Sequence, residues 1–92
     1  MVSGLKIAQQ AKERLTELTG LKPDTVSGFT KDEEGWHVTV EMIEMKRIPE
    51  AMDVLASYKV LLNEAGDVIG YQRIRRYRRG DIMEEGQEGS HG

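Results

Sequence analysis

A run of arginines near the C-terminal end is the pattern in this sequence with the clearest chemical potential. Five arginines fall within seven residues: Arg73, Arg75, Arg76, Arg78 and Arg79. Two tyrosines accompany them, Tyr71 and Tyr77. A guanidinium group can hold a carboxylate or a phosphate through paired hydrogen bonds, and tyrosine rings can stack on bases. Three interpretations are therefore open: pairing with acids of the same chain, binding of an acidic protein surface, and contact with nucleic acid.

The distribution of charge bears on these three interpretations. Residues 1–80 carry thirteen basic and twelve acidic side chains, whereas residues 81–92 carry four acids and no lysine or arginine. The formal net charge of −3 gives the whole chain no attraction to nucleic acid or to anionic lipid. The arginine run is thus a local concentration of positive charge in a chain of negative net charge, which favours a protein partner over nucleic acid. Acids that could pair with it internally lie on or beside the neighbouring predicted strands: Glu41, Glu44, Glu50 and Asp53.

Patterns for catalysis, metal binding and cofactor binding are absent from the sequence. There are no cysteines, which excludes thiol nucleophiles, disulfides and thiolate metal sites. His37 lies on the polar side of a predicted strand without obvious companion ligands, so we interpret it as a solvated side chain. Glu41 and Glu44 differ by three positions, which would place them on opposite faces of an unbroken strand. We predict a non-enzyme with no catalytic residues, no metal and no cofactor.

The elements that position the arginines begin with a predicted helix over residues 3–19. Its apolar residues recur at spacings of three and four, which is the pattern of a helix with one buried face. Ser3 is a suitable N-cap, and Gly20 can adopt the left-handed conformation that ends a helix. The stripe must pack on another layer, because an isolated helix of this length is marginal in water.

Three or four antiparallel strands are predicted to follow, over residues 25–31, 36–47, 54–62 and 68–79. The alternation within 36–47 changes phase after Met42, which indicates a bulge or sharp twist near 42–43, or a partly covered second face. The fold class is therefore α+β, with one N-terminal helix packed on a three- to four-stranded antiparallel sheet. This order is similar to small cystatin-like or PepSY-like two-layer domains. Residues 1–80 form the single predicted domain, and 81–92 form an acidic, glycine-rich tail that we expect to be disordered.

Alternation along the last strand predicts how the arginines divide between its faces. Arg73, Arg75, Tyr77 and Arg79 should share one face, and Arg76 and Arg78 the other, nearer the helix and partly paired. The first face is the better candidate for binding a partner. The predicted partner-binding residues are Tyr71, Arg73, Arg75, Tyr77, Arg79 and, from the preceding connection, Arg47.

Two further residues receive structural roles. Trp36 begins an alternating strand with Val38 and Val40, so we expect it in the core. Asp53 lies at the start of the next strand, where its carboxylate can accept backbone N–H bonds and pair with Arg47 or an arginine of the last strand. The segment 47–53 should therefore be a structured crossing rather than a flexible linker.

The ordered combination of these residues resembles the gas vesicle protein O (GvpO) family over roughly residues 5–79. The matching pieces are Gly35-Trp36-His37-Val38-Thr39-Val40-Glu41, Glu44, Arg47-Ile48-Pro49, Asp53, Tyr58-Lys59-Val60, Gly66, Tyr71, Arg73 and Arg76-Tyr77. The helix ahead of them, which ends LTELTG, is also similar to the family. Each piece alone is weak, and the combination is fairly specific.

The resemblance implies an accessory protein of gas vesicle formation, which binds other gas vesicle proteins as an adaptor or chaperone-like partner. It carries no catalytic residues. The alternative it leaves open is a nucleic-acid-binding regulator of gas vesicle gene expression that uses the arginine-rich strand. No stretch approaches 18 consecutive apolar residues, so no membrane span is predicted. We expect a cytoplasmic protein, with association with gas vesicles added by the resemblance.

Overall fold

A computed structural model describes residues 3–81 of the protein, which form a helix followed by four strands. The elements are α1 (Gly4–Thr19), β1 (Lys22–Asp32), β2 (Gly35–Met45), β3 (Val54–Leu62) and β4 (Val68–Arg78). The strands form one antiparallel sheet in the order β1-β2-β3-β4, so the predicted α+β class is confirmed. Apart from Asp81, the predicted tail lies outside the described residues, and the domain division stays a prediction.

The ends of α1 are set by the two capping residues that the sequence indicated. The Oγ of Ser3 accepts a hydrogen bond from the backbone N–H of Lys6 at 3.3 Å. Gly20 has φ 74°, in the left-handed region that favours glycine, and its N–H donates to the carbonyl oxygen of Thr16 at 2.8 Å. The chain turns there directly into β1.

The hydrophobic core lies between α1 and one face of the sheet. Ile7, Ala11 and Leu15 are buried against side chains that share one side of β2 and β3: Val38, Val40, Met42, Val60 and Leu62. Because α1 packs across β1, β2 and β3, we call the face beneath it the helix side and the opposite face the open side. Trp36 is partly buried, packs against this core and has its ring 5.0 Å from that of Phe29, which confirms its predicted place.

Two strands differ in detail from their predicted form. The register of β2 against β3 shifts between Ile43 and Met45, so the bulge lies at Glu44 rather than at 42–43. β1 begins at Lys22 rather than Thr25 and includes Pro23. An edge strand tolerates proline, because the N–H that proline lacks is not needed on the outer side.

No helix within residues 3–81 is both long and apolar enough to cross a membrane.

Candidate protein-binding surface

A bulge in β4 divides the arginine run differently from the prediction. Ser57 is paired with Arg75 and Tyr58 with Arg73, so Ile74 is an extra residue between two registers. Directly paired residues of antiparallel strands project to the same face. Arg73 therefore lies on the helix side with Tyr58, and Arg75 on the open side with Ser57.

The predicted common face of Tyr71, Arg73, Arg75, Tyr77 and Arg79 is therefore wrong. Tyr71 is paired with Val60, a residue of the core, which places Tyr71 on the helix side with Arg73. Simple alternation fails because each bulge inserts one residue and reverses the side on which the following residues project.

On the helix side, one carboxylate serves two arginines. The Nη1 of Arg73 lies 2.9 Å from one oxygen of Glu44, and the Nε of Arg76 lies 2.8 Å from the other. The Glu44 side chain is only 14% exposed, whereas those of Arg73 and Arg76 are 50% and 55% exposed. The cluster keeps a surplus positive charge at the surface. The exposed ring of Tyr71 lies beside it, 6.3 Å from the ring of Tyr58.

On the open side, a buried carboxylate organises the neighbouring hydroxyl groups. Glu41 accepts hydrogen bonds from Ser27 and Ser57, each at 2.5 Å, and a third from the hydroxyl of Tyr77. Burial by itself raises the pKa of Glu41, but these three donors and the nearby charge of Arg75 outweigh it and hold the pKa below its ordinary value. Glu41 is therefore an ionised acceptor of three hydrogen bonds at neutral pH.

Tyr77 is tied to this network and carries Arg75 on its ring. Burial, together with the hydrogen bond to the ionised Glu41, raises the pKa of Tyr77 to about 12. The guanidinium carbon of Arg75 lies 4.6 Å from the centre of the Tyr77 ring, which is cation–π geometry. Within residues 3–81, no carboxylate lies within ion-pair distance of Arg75.

Arg79 is engaged inside the protein by two carboxylates. Its Nη2 lies 3.1 Å from Asp24 on β1 and 3.4 Å from Asp53. Asp53 has no exposed surface and also accepts the backbone N–H of Arg47 at 2.8 Å. That backbone bond, with the charges of Lys46 and Arg79 against the opposing effect of burial, lowers the pKa of Asp53.

These contacts confirm the predicted structured crossing between β2 and β3. Asp53 accepts a backbone N–H bond, and the arginine that reaches it is Arg79, the residue directly after β4. Arg47 is exposed, and no carboxylate of the described residues lies within ion-pair distance of its side chain. Internal pairing thus accounts for Arg79, while Arg47 and Arg75 keep their charge at the surface.

The β1–β2 hairpin holds a grouping that sequence reasoning missed. His37 is only 17% exposed, and its Nε2 lies 2.8 Å from Asp32 and 3.8 Å from Glu34. The close contact with His37 lowers the pKa of Asp32. The tight Asp32–Gly35 turn was visible in the sequence, and folding it back would have placed these three side chains together. Their ligand atoms lie within 4.8 Å of one another, and the predicted absence of a metal stays a prediction.

Comparison with known proteins shows which family the chain belongs to. A family model described as Gas vesicle synthesis protein GvpO matches residues 2–83. The chain belongs to the GvpO family. The resemblance drawn from the Trp36, Arg47-Ile48-Pro49 and Arg76-Tyr77 motifs is thereby confirmed.

Two relatives of this GvpO-family chain show how far the likeness extends. Gas vesicle protein O of Streptomyces sp. (strain CB03234) is 44% identical over 78 residues, which cover 85% of this chain and 61% of the relative. Gas vesicle protein O1 of Halobacterium salinarum is 43% identical over 76 residues, which cover 83% of this chain and 64% of the relative. The chain thus spans about three fifths of the length of these relatives. No solved structure matches it significantly.

Proposed function

We propose that this chain supports gas vesicle formation as a non-catalytic adaptor that binds other gas vesicle proteins through exposed arginines at the β4 edge of the sheet and in the β2–β3 connection. We call these residues the arginine surface: Tyr71, Arg73 and Arg76 on the helix side of β4, Arg75 on its open side, and Arg47 in the connection. The observation that carries the proposal is the surplus of positive charge. Glu44 is shared by two arginines, and Arg47 and Arg75 lack an acidic partner among residues 3–81. Such a surface suits an acidic partner, because arginine binds carboxylates in a fixed, paired geometry.

The lowered pKa values of the buried carboxylates support a non-catalytic role. A general base works best when its pKa lies near the working pH. The pKa values of Glu41 and Asp53 are instead lowered by donors that occupy their oxygen atoms. Both carboxylates are therefore weak bases committed to holding strands and loops in place.

A pairwise binding screen against the other products of a gas vesicle gene cluster tests this proposal, with nuclease present throughout. We expect at least one gas vesicle protein to bind the parent chain. Removal of two unpaired charges, in the double variant Arg47→Gln and Arg75→Gln, should weaken that binding several-fold. The matched control removes two charges from α1, in Lys6→Gln with Lys12→Gln, and should bind as the parent does.

Two results would contradict the adaptor proposal. One is that no gas vesicle protein binds the parent chain. The other is retention only in the absence of nuclease, with an affinity that falls steeply as salt is raised, which is the behaviour of a protein that contacts phosphates. The second result would favour the nucleic-acid-binding alternative.

A further inference from the structure

The connection between β2 and β3 presents a concentrated set of exposed apolar side chains. Ile48 is 99% exposed, and Met45 and Met52 are each 42% exposed. Three of the nine large apolar side chains that are exposed within residues 3–81 thus fall in one eight-residue segment. We call residues 45–52 the Ile48 loop. Isolated exposed apolar residues need no explanation, but a group of this kind around one fully exposed isoleucine does.

The backbone of the Ile48 loop is fixed at both ends, although its tip is in solvent. Asp53 holds the backbone N–H of Arg47 on one side of the tip. On the other side, the N–H of Met52 donates to the carbonyl oxygen of Pro49 at 2.9 Å. Gly80 passes so close to the loop that a Cβ there would lie 3.1 Å from the carbonyl oxygen of Ala51. A side chain held on an ordered backbone loses little further entropy on binding, which favours its use as an anchor.

Two basic residues lead into this apolar tip. Lys46 and Arg47 directly precede Ile48; Lys46 is 63% exposed with its Nζ 3.9 Å from Asp53, and Arg47 is exposed with no carboxylate of residues 3–81 within ion-pair distance. The acid at the base, Asp53, is buried and occupied, and Glu50 is the one acid on the loop itself. A complementary partner would offer an apolar pocket bordered by carboxylates.

We propose that the Ile48 loop is the anchor of the partner interface: Ile48 enters an apolar pocket of a protein partner, and Lys46 and Arg47 contact acidic side chains at its rim. The two methionines suit the edge of such a pocket, because flexible thioether side chains adapt to irregular apolar surfaces. This inference rests on the adaptor function proposed above and specifies where and by what chemistry the partner is held.

The decisive variant is Ile48→Asp, measured as the affinity for whichever gas vesicle protein the pairwise screen identifies. The substitution should leave the melting temperature close to that of the parent, because the side chain makes almost no contacts in the free protein. Affinity should fall about tenfold or more, the usual loss when a central anchor of an interface is replaced. Ile48→Leu, which keeps the apolar volume, should retain most of the affinity. Leu5→Asp is the matched control, since it makes the same kind of change at a 73% exposed residue at the start of α1.

The outcomes separate this proposal from the adaptor function. If the parent binds a gas vesicle protein and Ile48→Asp binds it equally well, the adaptor stands and the anchor is wrong. If the parent binds none, both are wrong. Vesicles of phosphatidylserine and phosphatidylcholine test the other surface that suits a basic apolar loop: binding to them that Ile48→Asp abolishes, without a change in protein binding, overturns the proposal. A parent dimer that Ile48→Asp converts to monomer would overturn it as well, by assigning the loop to a second copy of the chain.

Discussion

Glu41 is a buried carboxylate on the open side of the sheet, and hydroxyl groups of its neighbours donate hydrogen bonds to it. A buried carboxylate is costly unless its oxygens are hydrogen-bonded. Ser27, Ser57 and Tyr77 come from three different strands and all donate to it. The network therefore ties β1, β2, β3 and β4 together on the side that lacks a helix.

Removal of one donor tests this role. In Tyr77→Phe the phenol ring is kept as phenyl and only the hydroxyl is lost, so the free energy of unfolding should fall by about 1.5–3 kcal/mol, as for a hydrogen bond to a charged acceptor. Urea denaturation measures the change. Tyr71→Phe, at an exposed ring, is the control and should have little effect. An equal loss of unfolding free energy in both variants would show that the hydrogen bond from Tyr77 to Glu41 does not stabilise the fold.

The raised pKa of Tyr77 gives a second observable at the residue scale. Because the folded pKa of about 12 lies above the ordinary value of 10.0, the folded state keeps its phenol proton where the unfolded state loses it. The stability that Tyr77 contributes is therefore present below pH 10.0 and is lost as the pH rises toward about 12. Phenolate absorbance of the folded protein should contain a step near pH 12 that Tyr77→Phe removes. Its persistence in that variant would assign the step elsewhere.

Asp53 is the residue on which the Ile48 loop depends. Asp53→Asn keeps the shape and removes the charge that holds Arg79 and the N–H of Arg47. We expect a lower melting temperature and faster amide exchange at Arg47. Asp67→Asn, an exposed acid in the β3–β4 turn, is the matched control. An unchanged melting temperature in Asp53→Asn would mean that the contacts of Asp53 with Arg79 and with the N–H of Arg47 do not depend on its charge.

At the scale of elements, regular periodicity was predictable, and its interruptions were predictable only in part. The stripe of α1, its caps and the four strand segments follow from spacing and glycine positions. The exact positions of the bulges at Glu44 and Ile74 are set by the register between strands rather than by local sequence. The phase change after Met42 signalled the first bulge one or two residues early. Nothing in the arginine run signalled the second, so the division of Arg73 from Arg75 was missed.

Both edges of the sheet are protected against strand addition. β1 contains Pro23 and two register shifts, and β4 carries the arginines and two more. Proline, bulges and long charged side chains all discourage another strand from pairing at an edge. A partner is therefore expected to contact side chains of this chain rather than extend its sheet.

Trp36 tests the packing of the β1–β2 hairpin on the core. Its ring contacts Phe29 and lies 5.1 Å below the ammonium group of Lys31. Because it is only partly buried, Trp36→Ala should cost about 3 kcal/mol, the lower end of the range for deleting a core aromatic. Thermal or urea unfolding measures this loss. A melting temperature within a few degrees of the parent would place the ring outside the core, and Phe29→Ala separates its contribution from that of its neighbour.

For the whole molecule, lowered pKa values predict weakness in acid. Asp32, Glu41 and Asp53 all have folded pKa values below the ordinary values of 3.8 for Asp and 4.5 for Glu. Between the folded and ordinary values the unfolded state binds more protons, so stability is full above this window and falls as the pH falls through it. The melting temperature should drop steeply below about pH 4. The double variant Glu41→Gln with Asp53→Asn should start lower at neutral pH and lose less in acid; an equal slope in both proteins would contradict the assignment.

The candidate surface could be predicted only in part from the sequence. The run of arginines and its mixture with tyrosine were plain, and so was the acid at Asp53. Which arginines are engaged depends on contacts between residues far apart in the chain, such as Asp24 with Arg79. The exposure of Ile48 was hidden for a related reason, since an apolar residue before proline looks the same in sequence whether it is buried or displayed.

The strand order β1-β2-β3-β4 has a consequence for how the chain folds. Each strand pairs with the one made just before it, so no strand pairing spans an intervening element and folding should be fast for a sheet protein. The ion pair of Arg79 with Asp24 joins the residue after the last strand to the first strand and can form only when all four strands are in place. Arg79→Gln should therefore accelerate unfolding while leaving the folding rate nearly unchanged, as expected of an interaction absent from the transition state. Stopped-flow folding and unfolding in urea would measure both rates, and an equal slowing of folding would show that the ends of the sheet meet early.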